Sequence, residues 1–404
     1  MILTVNVINY LEVIPLSFEE VIDRRSTQSI KWNRELLEKW CHMSGEDILS
    51  FWVADMDFRC PQPVIDAVKN VADFGIYGYS DMSGSYYQCV LNWYLRRYGC
   101  ALRKEWICYC NGIVPALNYV LQGFCQPGDK LLIQPPVYYP FQQAAENNGV
   151  ELLTNDLVLE NGKYRMDFED LERKASDPRA RVLFLCSPHN PVGRVWTQKE
   201  LRQVADICKA HNILVVSDEI HCDIVYSPHR FYSMLAFEEL YDRLILCSSP
   251  SKTFNIAGLQ MSNIMIPSTA VRRQFQKVLD KNSVLLPNVF GIAAVEAAYS
   301  HCDGWLAELL SALTNNRNAL GQALSARLPK AVFHQPEGTY LAWVDLSAYP
   351  YTPSERGERI KAAGLALDHG SIFGPPGDSF ERINFACPEK TLLECVGRLA
   401  AALQ

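Results

Sequence analysis

Residues 181–193, Arg-Val-Leu-Phe-Leu-Cys-Ser-Pro-His-Asn-Pro-Val-Gly, pass from an unbroken apolar run directly into a turn-forming one. Apolar residues that do not alternate with polar ones read as a strand buried on both faces, the mark of a parallel sheet covered by helices. The same pattern recurs at 130–134 (KLLIQ), 213–217 (ILVVS), 243–247 (RLILC) and 262–266 (SNIMI). Between such runs the spacing turns helical: in Lys199–His211, residues Leu201, Val204, Ala205 and Cys208 fall on one face. Residues 61–284 therefore read as a large α/β domain around a mostly parallel central sheet. From 285 to 404 helices dominate, with strand candidates at 331–334 and 340–344. That part, joined by residues 1–60, reads as a smaller α+β domain carrying an N-terminal arm.

A chain of 404 residues is too long for one ordinary core, in keeping with two packed domains. Its 49% hydrophobic and 21% charged residues are those of a folded soluble protein. A formal charge of −7 offers no basic footprint, so a nucleic-acid partner is not expected. The 8 histidines are scattered, and no metal is expected. The 14 cysteines contain no C-x-x-C, and Cys108 and Cys110 would share one face of a strand as small hydrophobes. Buried, reduced thiols are the expectation, and with them a cytoplasmic protein. The first 18 residues are apolar, but Asn6, Asn9 and Glu12 interrupt them and no basic region precedes them. Neither a signal peptide nor a membrane span fits; an arm packing on the body or on a second subunit does.

Four segments stand near strand ends, where open α/β sheets gather their ligands. They are Ser187–Gly193, Ser217-Asp-Glu-Ile-His221, Ser248-Ser-Pro-Ser-Lys-Thr-Phe-Asn255, and Asn111-Gly-Ile-Val-Pro115 at the opening of a helix-like stretch. Together they match the needs of a pyridine aldehyde phosphate. The aldehyde needs a lysine amine, here Lys252. The ring nitrogen needs a carboxylate to keep its proton, here Asp218. The phosphate needs helix N-terminal amides and hydroxyls, here Ile113, Val114, Ser249 and Ser251. The ring oxygen needs a donor, here Asn190. Each segment alone has a plainer reading: a solvated lysine after a serine-rich turn, a helix cap, an ordinary Asn-Pro turn. Their joint order and spacing favour the site.

The order Gly-Ile-Val (112–114), Pro-Val-Tyr-Tyr-Pro-Phe (136–141), Asn-Pro-Val-Gly-Arg-Val-Trp (190–196), Ser-Asp-Glu-Ile-His (217–221) and Ser-Lys-Thr-Phe-Asn-Ile-Ala-Gly-Leu-Gln (251–260) resembles fold-type I pyridoxal-phosphate (PLP) enzymes, the aspartate aminotransferase superfamily. Within it the chain most resembles the MalY/PatB group of cystathionine β-lyases, or C–S lyases. That likeness runs from Asp23-Arg-Arg-Ser-Thr-Gln-Ser-Ile-Lys-Trp32 through Phe51-Trp-Val-Ala-Asp-Met-Asp-Phe58 to Arg382-Ile-Asn-Phe-Ala-Cys-Pro388. The resemblance implies that Lys252 forms the Schiff base, that Asp218 pairs with the pyridinium, and that Asn190 reaches the ring oxygen and the substrate. It places His221 beside the ring and stacks Tyr138 on it. It makes Tyr79, grouped with Lys252 as catalytic, the tyrosine that reaches the phosphate of the neighbouring subunit in a homodimer. It gives Arg382 the substrate α-carboxylate, a task suited to a guanidinium fork; a surface ion pair with Glu381 is the plainer alternative. Asp55, with Met56 and Asp57, would lie at the substrate entrance, helix capping before Pro61 being the plainer reading. Tyr86 and Tyr87 read as core.

Many aminotransferases carry an arginine eight residues after the lysine; here that position is Gln260, as in the C–S lyase group. The expectation is a β-lyase that cleaves cystathionine or a cysteine S-conjugate to a thiol, pyruvate and ammonia. An aminotransferase is the alternative, and a regulatory protein retaining the fold is a third reading that the intact Lys252, Asp218, Asn190 and Arg382 disfavour.

Overall fold

The computed structural model describes residues 18–404. Residues 1–17, most of the expected arm, lie outside the described residues. Seven strands form the central sheet: β1 (Ile107–Cys110), β2 (Lys130–Ile133), β3 (Glu151–Thr154), β4 (Ala180–Cys186), β5 (Leu214–Asp218), β6 (Leu244–Ser248) and β7 (Ser262–Met265). Their spatial order is β1-β7-β6-β5-β4-β2-β3. Strand β7 runs antiparallel to both neighbours, and the other pairs are parallel. Every residue of β5 and β6 is buried, as their unbroken apolar runs predict.

Helices cover both faces. The Gln198–Ala210 helix buries Leu201, Val204, Ala205 and Cys208, the four residues its spacing selects. It starts where Thr197 and Glu200 close a reciprocal capping box, which satisfies two otherwise orphaned amides. Cys108 and Cys110 both enter the core on one side of the sheet. All 14 cysteines are free, with only Cys41 and Cys60 less than fully buried. No described helix is long and apolar enough to cross a membrane.

A second, antiparallel sheet contains β8 (Val332–Phe333), β9 (Leu341–Asp345), β10 (Asp368–His369) and β11 (Phe380–Asn384), in the order β8-β9-β11-β10. The first two match the strand candidates at 331–334 and 340–344. Strands β10 and β11 were not expected, because Asp368, His369, Glu381 and Arg382 make their pattern polar. Asp368, Glu381 and Arg382 are buried, His369 is half-buried, and they pair with one another: Glu381 accepts from Arg356 Nε and lies 2.8 Å from His369 Nδ1. Leu49–Ser50 pairs in parallel with Leu365–Ala366, tying the N-terminal segment to the C-terminal part of the chain.

Candidate active site

The register of the sheet assembles the site. Cys186 of β4 lies opposite Asp218 of β5, and Asp218 lies opposite Cys247 of β6. The three segments that follow these strands therefore emerge side by side, at the carboxyl edge where ligands gather. The Ile113–Phe124 helix points its N-terminus at the same place, with no side chain capping its first amides. Together they line a cavity of about 200 Å³ that includes Ile113, Val114, Tyr138, Asn190, Asp218 and Lys252. His221, Ser249, Ser251 and Gln260 line it as well.

Lys252 is the one lysine or arginine in that lining. Its Nζ donates to the Ala54 carbonyl at 2.7 Å, an acceptor that Tyr340 Oη shares at 2.9 Å. Burial pushes the amine down to about 8, against the opposing pull of Asp55 and Asp218 and with a further push from Arg382. Asp218 is 4% exposed, and its carboxylate accepts one hydrogen bond, from the Ile220 amide at 3.1 Å. Burial raises it to about 7, which only partial compensation by that amide and Lys252 explains. Such a carboxylate is short of a cation. His221 is buried with Nδ1 unpartnered, and burial beside Lys252 and Arg382 holds the ring neutral. It meets the Tyr340 ring edge-on.

Arg382, on β11, is 2% exposed. It donates to Asn190 Oδ1 at 3.1 Å, to the Trp52 carbonyl and to Asp368, and its guanidinium lies over the Phe373 ring. Its Nε is buried without a partner. Nε is left without a partner while both hydrogens of Nη2 are spent, and the surface pair with Glu381 is not formed: Glu381 serves Arg356 and His369 instead. Because Asn190 spends its carbonyl oxygen on Arg382, its amide NH2 is left to donate. Ser249 Oγ donates to the Met261 carbonyl at 2.6 Å and accepts from the Ser251 amide, so it shapes the turn as well as lining the cavity.

Three residues named from sequence are not in the lining: Arg382, which meets it through Asn190, and Tyr79 and Asp55. Tyr79 is fully exposed and touches nothing in the cavity of its own chain. Asp55 does not line the cavity; its carboxylate is held by Arg24 and lies 3.6 Å from Lys31 Nζ. Three groups at the site went unread: the Ala54 carbonyl, Tyr340 and Asp368. A backbone acceptor leaves no trace in sequence, Tyr340 lies just ahead of β9, and Asp368 sits in the two-residue β10, with no motif around either. Tyr86 is buried, as read, with its hydroxyl on Asn263, whereas Tyr87 is half-buried.

A neutralisable lysine, a cation-seeking carboxylate, an amide donor and a free helix N-terminus on a mostly parallel sheet define the PLP-dependent enzymes of fold type I. The chain belongs to the aminotransferase class I and II family, whose model matches residues 46–399. It is 39% identical to cystathionine β-lyase PatB of Bacillus subtilis over 395 residues, covering 96% of this chain and 100% of that one. Among solved structures it resembles cystalysin of Treponema denticola, which contains pyridoxal 5'-phosphate, at 34% identity and a TM-score of 0.92, covering 96% and 98% of the two chains. It also resembles the PLP-bound C–S lyase of Staphylococcus hominis at 33% identity and a TM-score of 0.89, covering 97% and 99%.

Proposed function

We propose that the chain is a PLP-dependent C–S β-lyase, cleaving cystathionine or a cysteine S-conjugate to a thiol, pyruvate and ammonia. The observation that carries this is the Lys252 amine, alone of its kind in the cavity and lowered to about 8 between Asp218 and Arg382. Likeness to proteins named cystathionine β-lyase and C–S lyase along nearly the whole chain supports elimination over amino transfer, as does Gln260.

The residues fit the cofactor. The first amides of the Ile113–Phe124 helix, with Ser251, would hold its phosphate; Asp218 would hold its ring nitrogen, Asn190 its ring oxygen, and Tyr138 its face. When bound, PLP supplies an electron sink for a carbanion at the substrate α-carbon. The chain does the rest. Arg382, through its unpartnered Nε, takes the α-carboxylate and orients the Cα–H bond. Lys252 Nζ receives the α-proton, for which an amine titrating near neutrality is suited. The Cβ–S bond then breaks, and the electron pair leaves on sulfur, which takes up a proton as the thiol. The released aminoacrylate tautomerises and takes up one water, giving pyruvate and ammonia.

The finer reading is of a homodimer in the cytoplasm, with Tyr79 completing the neighbouring subunit's phosphate site. Exposed Phe74, Ile76, Tyr77 and Tyr79 form an apolar stretch that a second subunit would cover. Free, mostly buried cysteines support the compartment. Residues 61–284 would be the PLP-binding domain, with 1–60 and 285–404 forming the smaller one. Asp55 would act at the substrate entrance. Pyruvate and thiol release from a panel of cysteine conjugates, without added keto acid, is the expected result; a strict keto-acid requirement makes the protein an aminotransferase instead.

A further inference from the structure

A partly buried charge cluster lies behind the site, in residues that line no part of the cavity. Lys31 is 0% exposed. Its Nζ donates to Asp57 Oδ2 at 2.9 Å and to the Asp55 carbonyl at 3.1 Å. Arg24 bridges the same two aspartates, at 2.7 Å to Asp55 Oδ2 and 2.8 Å to Asp57 Oδ1. Trp32 Nε1 donates to Asp57 Oδ1 at 2.7 Å. Two cations thus balance two carboxylates. The cluster's buried pair, Lys31 and Asp57, costs desolvation and adds little net stability. Its retention calls for another account.

The segment it holds provides one. Between Val53 and Met56 every carbonyl accepts from a side chain: Val53 from Asn384, Ala54 from Lys252 and Tyr340, Asp55 from Lys31 and Asn384, Met56 from Arg24 and Asn255. Lys31 and Lys252 donate to adjacent carbonyls of one peptide segment. We propose that Lys31, clamped by Asp57 and assisted by Arg24, is a positioning residue for Lys252: it fixes the Ala54 carbonyl that the catalytic amine contacts and the nearby charge of Asp55.

The amine is faced by Asp55 from this segment, by Asp218 and His221 from the end of β5, by Arg382 from β11, and by Tyr340 ahead of β9. Asp55 is the foremost charge opposing the effect of burial on Lys252. Freeing Asp55 and Ala54 removes support for the ammonium form and leaves more of the lysine as free amine.

The proposal rests on Lys252 being the cofactor lysine, which loss of the bound-cofactor absorbance in Lys252→Ala tests separately. The test uses Lys31→Met combined with Asp57→Asn, which removes one charge of each sign, and Arg59→Ala, which breaks only the exposed pair with Glu20, as control. The acetylation rate of Lys252 at pH 7 is measured by peptide mass spectrometry on the full chain freed of cofactor. The double variant is expected to label at least about threefold faster than wild type, a shift of about half a pH unit in its inflection, with kcat about tenfold lower in the reloaded enzyme. The control should match wild type in both. An unchanged labelling profile in a folded double variant overturns the proposal. If the double variant does not fold, Arg24→Gln carries the same test with the same two outcomes.

Discussion

Asp368 and Arg382 face each other across the β10–β11 pairing, and the guanidinium of the second donates to the carboxylate of the first. The pairing neutralises a buried cation and occupies Nη2, leaving Nε as the N–H without a partner. Asn190 and the Trp52 carbonyl fix the remaining direction. A lysine offers a point charge with no such division of labour.

Arg382→Lys should therefore lose far more than charge accounting suggests. Its KM for the amino-acid substrate is expected to rise at least about thirtyfold, the loss of a charge-assisted pair worth about 2–3 kcal/mol. Asp368→Asn keeps a hydrogen-bonding partner for Arg382 and should raise KM by about three- to tenfold. Steady-state kinetics on one cysteine conjugate check both, and equal KM values for Arg382→Lys and wild type would remove Arg382 from the carboxylate site.

Lys252, lowered to about 8, sets how cofactor capture depends on pH. Only the free amine attacks an aldehyde, so the capture rate of the cofactor-free protein should climb as pH rises through about 8 and level off above it. Stopped-flow absorbance on adding PLP follows it. Lys252→Ala should show no such phase, and turnover should drop by at least about a thousandfold.

Much of this site was legible in the sequence. Lys252, Asp218 and Asn190 sit at the ends of apolar strands, where the chain must turn and where short polar motifs stand out. Ser251 follows from the same placement, Tyr138 and His221 were reached through the family resemblance, and all three line the cavity. The partners of those residues were not legible. Ala54 contributes only a carbonyl, and Lys31 meets Asp57 across 26 positions through a fold rather than a motif. Strands β10 and β11 were hidden by their own charges, because period and polarity describe a strand facing solvent or core, not one whose acids and bases neutralise each other.

Asp218 makes the cofactor-free protein sensitive to pH in a direction that can be worked out. Its carboxyl is raised from 3.8 to about 7, so the folded chain keeps a proton that the unfolded chain releases. Its contribution to stability is fully present below about pH 4 and is lost as pH rises to about 7. Asp218→Asn removes the titration. At pH 8 the cofactor-free variant should be more stable than cofactor-free wild type by about 1–3 kcal/mol, and the difference should vanish near pH 4. Turnover should nonetheless fall by at least about a hundredfold. Denaturant unfolding at the two pH values measures the first claim.

Tyr79 touches nothing in its own cavity, yet the proposed dimer requires it in the other one, and this gives a test that no single-site defect can mimic. Tyr79→Ala and Lys252→Ala should each be nearly inactive. Unfolded together and refolded as a mixture, they should form hybrids in about half of the dimers. Each hybrid joins an intact Lys252 from one chain with an intact Tyr79 from the other at one site, while its second site lacks both. Half the dimers with half their sites restored is about one quarter of wild-type activity, from two chains that have almost none. If Tyr79 served its own chain's site, every hybrid site would lack one residue, and mixing would recover nothing.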